Sequence, residues 1–579
     1  MFTTRFAGDP SLGDWRSVLH SLPVSSMDLG PLDADEAMRL AAGAASISDA
    51  LLRSCVERAE GNPLFLEQLL LNAGDESATS LPGSIQALIQ ARMDRLAASD
   101  KNALQAAAVL GQRAPLAAIR HRVGDAAYDP RLLVDQFLLR PEGDELVFCH
   151  ALIRDGAYAS LLHARRRQLH QEAGSWIADQ DAALAAEHYE RAEDPRAAAA
   201  YLQASEAQAS RYRNAEALYL VERALKLPDL AGLEFVLRLT LDLSRLHELR
   251  GNLLFVLGQP EECQRAHETA LALAREAGSP EAECAALGGL GDVRYAQARI
   301  VTGARLIEDC VAMAREQGFL KVEMAYLPML AWAGLYMMQL PRAIEIGKQA
   351  LAMATRLRNP RAELMALSQM VMLDGCVRGN HREALPLIER ALEGARMLGS
   401  RRMEAVGWFY RALLLMRAGD LDAARSELAH AFELFGSDSG TLTFVGPQLY
   451  GVQALLSTDA PSRRKALASG EALLKTNALS HNHFALLDFA IQSSVDGADW
   501  DEASRYCDAL EAYCAAEPLP WSDFIVARGR ALVRHGRGEG DAELLQQLQS
   551  LRQQIVDSEM NFYLTSIDAA LTRLGQTSA

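Results

Sequence analysis

A repeat of about forty residues constrains this chain more than any other feature of its sequence. The decapeptides ECQRAHETAL (262–271), RAIEIGKQAL (342–351), EALPLIERAL (383–392) and AARSELAHAF (423–432) superimpose. Their closing small residue falls at Ala270, Ala350, Ala391 and Ala431, with Cys310 completing the series, so the steps are 40, 40, 41 and 40. A second small residue lies seven positions earlier, at Cys263, Gly303, Ala343, Ala384 and Ala424. A third lies twelve before that, at Gly251, Gly291, Ala331 and Ala412, with Met372 as the exception. Glu283, Glu323, Glu363 and Glu404 keep the same beat, each after a turn.

A spacing of seven places two side chains on one helix face, and small ones there let neighbouring helices approach closely. A forty-residue period fits two helices and two turns. A single helix pair cannot bury its apolar face, so consecutive pairs must stack. The chain is rich in Ala and Leu and only 6% aromatic, which suits helices. The spacing and the small-residue positions resemble tetratricopeptide repeats in a longer-period form. The resemblance spans roughly Ala185 to the C-terminus and is firm over 251–432. EALYLVERALKL (216–227) and DWDEASRYCDALEAYC (499–514) are expected to be further repeat helices, and GSDSGTLTFVGP an irregular connection.

The first 165 residues do not repeat. Asp33 is placed to cap a helix, with Asp35 and Glu36 in its first turn. Helices are expected near 48–60, 63–73, 84–98 and 99–111, then near 115–123 and 129–138. Pro141-Glu142-Gly143-Asp144 is a turn signal between two short apolar runs. Three helices followed by a hairpin is the pattern of a winged helix. The expected fold class is therefore mostly all-α, a winged-helix unit followed by a tetratricopeptide-like α-solenoid. The expected divisions are 1–30, 31–98, 99–168 and 169–579.

Four motifs occur in a telling order: Thr3-Thr4-Arg5, then ERAEGNPLFLEQLL (57–70), LPGSIQALIQARMDRL (81–96) and HALIRDGAYASLLHARRRQLH (150–170). Together they resemble the second half of signal-transduction ATPases with numerous domains, the STAND group. The similarity is greatest to bacterial members that carry helical repeats and are often linked to nucleotide-cyclase or DNA-binding domains. The resemblance implies that 1–30 is the end of a P-loop ATPase core and 31–98 a helical lid. It also implies that Arg5 faces the terminal phosphate, Pro63 packs on adenine and His150 points at the phosphates. Each residue also has a local reading: Arg5 as a solvated arginine, Asn62-Pro63 as a helix start, and His150 as a strand-end histidine bonded to nearby backbone. The family often has Asp after this histidine, where Ala151 stands here.

No G-x-x-x-x-G-K-[ST] phosphate loop occurs, and the one Gly-Lys pair, Gly347-Lys348, is followed by Gln349 in a repeat helix. The acidic metal-binding strand expected before Thr3 is also missing. Either the start is internal to a longer gene, or the chain is a truncated remnant. As it stands the chain is expected to need no cofactor, with ATP or ADP expected only if a phosphate loop lies upstream. No catalytic residue set and no metal-ligand spacing stands out; HNH (481–483) lacks the context of a nuclease. A formal charge of −17 argues against general binding to nucleic acid or an anionic membrane. The eight cysteines are scattered, as buried thiols of a reducing compartment would be. No segment reads as a signal peptide or membrane span, and the expected location is cytoplasmic. These readings point to a regulatory protein that binds a protein or peptide partner on its repeat surface, with the concave face as the binding site. The alternatives are an ATP-binding signalling ATPase, cyclase-associated or not, and a transcription regulator. The last is disfavoured because 546–575 reads as repeat helices rather than a basic recognition helix.

Overall fold

Local turn chemistry sets the rhythm of the second half. In the computed structural model, residues in the left-handed region fall at Gly258, Ala298, Met338, Gly379 and Gly419, and again at Gly278, Gly318, Arg358 and Gly399. Both series keep the beat of the sequence repeat, one marking the turn inside each helix pair and the other the turn between pairs. Helix starts follow simple rules: Pro260, Pro280 and Pro360 occupy first positions. Asn359 and Asp541 accept from the backbone N–H groups of Ala362 and Leu544 at 3.0 and 2.8 Å. The structure describes residues 30–42, 48–73, 85–227, 236–435, 439–476 and 479–577. They divide into two compact units, 1–173 and 174–579.

In the first unit, helices Ala34–Ala41, Asp49–Ala59 and Pro63–Ala73 enclose a small core of Ala37, Cys55, Leu66 and Leu69. Asp33 and Glu36 form the expected cap reciprocally: Asp33 Oδ1 accepts from Glu36 N at 2.7 Å, and Glu36 Oε2 accepts from Asp33 N at 3.0 Å. Helix Ala98–Leu110 leads to strand β1 (Arg113–Pro115), helices Leu116–Val123 and Arg131–Asp135, and the hairpin β2 (Leu139–Glu142) and β3 (Glu145–Phe148). The three strands form an antiparallel sheet in the order β1-β3-β2, with Arg113 opposite Val147 and Leu139 opposite Phe148. This is winged-helix topology. Gly143, at φ 63°, makes the hairpin turn. Leu104, Ile119, Leu133, Phe148 and Ile153 fill the core, and the Tyr128 hydroxyl donates to buried Asp100 at 2.8 Å.

The second unit is an α-solenoid of paired helices. Every small residue singled out by the repeat is buried, including Cys263, Cys310, Ala343, Ala350, Ala391 and Ala431. The 41-residue step has a structural cause. Helix Pro360–Met370 continues into a π-helical stretch, Val371–Arg378, which takes up the extra residue. Met372 breaks the small-residue series because it lies in this stretch. Residues 439–455 correct one expectation: they form a helix, not an irregular connection. Val445, Leu449 and Val452 are buried at helical spacing. Packing overrides the poor helix propensity of its Gly, Thr and Pro residues.

The solenoid returns upon itself. Helix Pro280–Ala296 packs against Ser480–Asp496, and Leu320–Tyr336 against Pro520–Gly536. Ser480 Oγ donates to the Tyr295 carbonyl at 2.6 Å. Glu517 accepts from the Val301 and Thr302 N–H groups at 2.6 and 3.2 Å and from the Thr302 hydroxyl at 2.6 Å. Arg299, the residue before helix Ile300–Gln317, makes no side-chain cap. Glu517, more than two hundred residues further along, provides one. Arg378 and Glu559 form another closing pair, at 2.5 Å.

Candidate functional site

Two of the positions named by the nucleotide motifs, Pro63 and His150, have local structural roles. Gly61 has φ 75°, and a Cβ there would lie 2.6 Å from the Leu32 carbonyl oxygen. That close approach, with Leu32 N–H donating to the Gly61 carbonyl at 2.8 Å, requires glycine. Asn62 Oδ1 accepts from Phe65 N–H at 3.1 Å, and Pro63 opens the helix with its ring exposed. His150 caps helix Ala151–Ala159, its Nδ1 accepting from Leu152 N–H at 3.2 Å. The helices begun by Pro63 and His150 each pack against Ile85–Asp94. Arg5 lies outside the described residues.

The HNH segment is the first turn of helix Ser480–Asp496. Asn482 is buried and accepts from Gln448 at 3.3 Å, while His483 stacks on Tyr513 with centroids 4.2 Å apart. Among the described residues no group of His, Cys, Asp and Glu is arranged to hold a metal ion. Nor is any described helix long and apolar enough to cross a membrane.

The inner face of the repeats carries a feature that the motifs did not point to. A cavity of about 180 Å³ lies inside the superhelix. Tyr295, Tyr336, Phe484 and Trp521 form one continuous aromatic wall, with centroids 6.2, 4.8 and 5.7 Å apart along the series. The π-helical stretch contributes Met372, Cys376 and Val377. An open, more polar pocket of about 770 Å³ adjoins it. Cys376, Arg417 and Phe562 line both.

Charges are concentrated at this junction. Arg417 lies over the Phe562 ring. Asp488 is 5% exposed; its Oδ2 accepts from the Tyr563 hydroxyl at 2.8 Å, while its Oδ1 has no hydrogen-bond partner. Arg528, 1% exposed, donates through Nη2 to Ser566 at 2.8 Å and to Gln492. Burial pushes the Asp488 carboxyl above its usual range, against the opposing pull of Arg528, the Tyr563 hydrogen bond and Arg417. Burial also lowers Arg417, to about 10. The sequence carries a signal for these groups: FALLDFAI and LLLMR each set one charge in an otherwise apolar run. In a helix buried on several faces, such a charge has to be buried too.

The fold is thus that of a winged-helix unit joined to a tetratricopeptide-like α-solenoid. No protein-family model matches the chain, and no curated protein matches it. Among solved structures, it is similar to a signal transduction ATPase with numerous domains, with a tetratricopeptide repeat sensor, from Pyrococcus horikoshii. That match has 13% identity and a TM-score of 0.53, over 96% of this chain and 76% of that one. A Rap protein complexed with competence and sporulation factor matches at 14% identity and a TM-score of 0.37, over 66% of this chain and 98% of that one. Yeast Tom70 matches at 14% and 0.29, over 71% of this chain and 91% of that one. At these identities the similarity concerns the fold alone.

Proposed function

We propose that this chain is a regulatory protein of the signal-transduction ATPase type that acts through protein–protein contacts, its repeat superhelix serving as the sensor. The observation that carries this reading is the return of the solenoid upon itself around an inner cavity, in one chain with a winged-helix unit. Solenoids offer extended surfaces to partners, and a closed one has an interior whose occupancy can bias its conformation. An interior cavity of about 180 Å³ does not admit an α-helix about 10 Å across. In this reading a protein partner therefore docks on the outside of the repeats rather than on the concave face. Support for the ATPase kinship comes from the motif order and from the similarity in fold to a protein described as having a repeat sensor.

The test is cross-linking mass spectrometry on the full chain with its co-purified, reconstituted partner. Cross-links to residues 174–577 are expected. Cross-links confined to residues 1–173, or no partner that reconstitutes with the purified chain, would contradict the reading. Nucleotide hydrolysis is not part of it. The amino-acid sequence contains no G-x-x-x-x-G-K-[ST] loop, whose N–H groups and lysine hold the β- and γ-phosphates, and calorimetry of this chain with ATP is expected to show no tight binding.

A further inference from the structure

We propose that the inner cavity binds a small anionic amphiphile: a carboxylic acid with an apolar body of about eight carbon atoms, the body seated among the aromatic residues and the carboxylate on Arg417. This rests on the sensor reading and names the chemistry its interior takes. Size comes first. An apolar cavity of about 150 Å³ holds benzene, and this one, at about 180 Å³, holds a body slightly larger. Its wall is aromatic and Met-rich, with Trp332, Met365 and Met403 beside the four rings already described. A sugar would leave most of its hydroxyls unpaired against such a wall.

The unpaired polar groups supply the second argument. Arg417 Nε and Arg528 Nε and Nη1 are buried donors without a hydrogen-bond partner, against two such acceptors on residues lining the cavity, Asp488 Oδ1 and Gln369 Oε1. Among the described residues Arg417 makes no ion pair within 4 Å, and its guanidinium rests on the Phe562 ring. Asp488 and Asp496 act on Arg417 only through space, and a ligand carboxylate offers the guanidinium two acceptor oxygens in matching geometry. Position supplies the third argument. Arg417 stands where the apolar cavity meets the open polar pocket. A ligand entering from that pocket would place its apolar body inward and keep its charged end at the junction.

Trp332 and Trp521 line the cavity, so tryptophan fluorescence of the full chain reports occupancy. The probes are octanoate, 3-phenylpropanoate and octan-1-ol. Saturable quenching by at least one acid is expected, with octan-1-ol binding about tenfold or more weakly than octanoate. Arg417→Met should weaken acid binding by a similar factor and leave octan-1-ol unchanged, while Arg417→Lys should retain part of it. Ala485→Trp, which fills the cavity from its wall, should abolish binding of acid and alcohol alike. Absence of saturable binding by both acids overturns the proposal, as does octan-1-ol binding the wild-type chain as tightly as octanoate. That last comparison needs no variant, so it decides even if Arg417→Met fails to fold. Acid binding without partner cross-links to the repeats would leave this inference standing and remove the protein-contact reading.

Discussion

His267 shows how one residue can be both a packing solution and a pH-sensitive one. It is fully buried between Gly251 and Gly289, where an added Cβ would lie 2.3 and 2.2 Å from its ring. Neither ring nitrogen has a hydrogen-bond partner, and burial pushes it from its ordinary 6.5 down to about 4. The folded state therefore binds fewer protons than the unfolded one, and the contribution to stability is present above pH 6.5 and lost as pH falls toward 4. Melting curves across that window should show a smaller acid loss for His267→Leu than for the parent chain. The difference between the two curves is the readout, because burial also pushes His188 and His483 to about 4. Gly289→Ala should cost about 1–3 kcal/mol through its clash with the ring. Melting like the parent would mean the ring has another place to go. The repeated glycines and alanines were legible as small positions; which large side chain each one receives was not, because that partner lies on a neighbouring helix.

At the scale of the element, the π-helical stretch Val371–Arg378 explains the one irregular step in the repeat. On its N-terminal side Glu363 keeps the forty-residue spacing from Glu323, and within it Gly375 meets Ala384, where an added Cβ would lie 2.5 Å away. A single deletion at Met372 removes the extra residue and lets the helix run as α throughout. The chain is expected to keep its helical circular dichroism, yet lose acid binding in the tryptophan assay, because Met372, Cys376 and Val377 wall the cavity. Unchanged binding would show that the π turn does not shape the site. Ala350→Leu and Ala391→Leu test the regular part of the repeat. Both alanines are at most 2% exposed, and overpacking should cost about 1–3 kcal/mol each. The number 41 was readable in the sequence, but not that a π turn would absorb it, since a longer turn satisfies the same count.

Within the repeat unit as a whole, closure rests on contacts between segments far apart in the chain. Glu517 caps helix Ile300–Gln317 from outside, placing a carboxylate on N–H groups that carry the positive end of the helix dipole. Glu517→Ala should lower stability by about 1–2 kcal/mol. It should also speed hydrogen exchange at Val301 and Thr302, with little change at the equivalent helix start Leu340–Arg356. Equal exchange in both chains would show that the aromatic wall, not the cap, holds the superhelix closed.

The sequence by itself determined the paired-helix period, the small-residue seams, the caps and turns, and the order of elements in the winged-helix unit. Each of these is a local choice of backbone angle or side-chain size, written within one or two turns of chain. Only the tertiary structure decided where the superhelix meets itself. That closure brings Tyr295 and Tyr336 to Phe484 and Trp521, sets Glu517 over a distant helix start, and joins Arg417 to Phe562 and Asp488 to Tyr563 around one cavity. The angle between successive helix pairs sets how many repeats complete a turn. A small rotation, accumulated over many pairs, is not encoded at any one position.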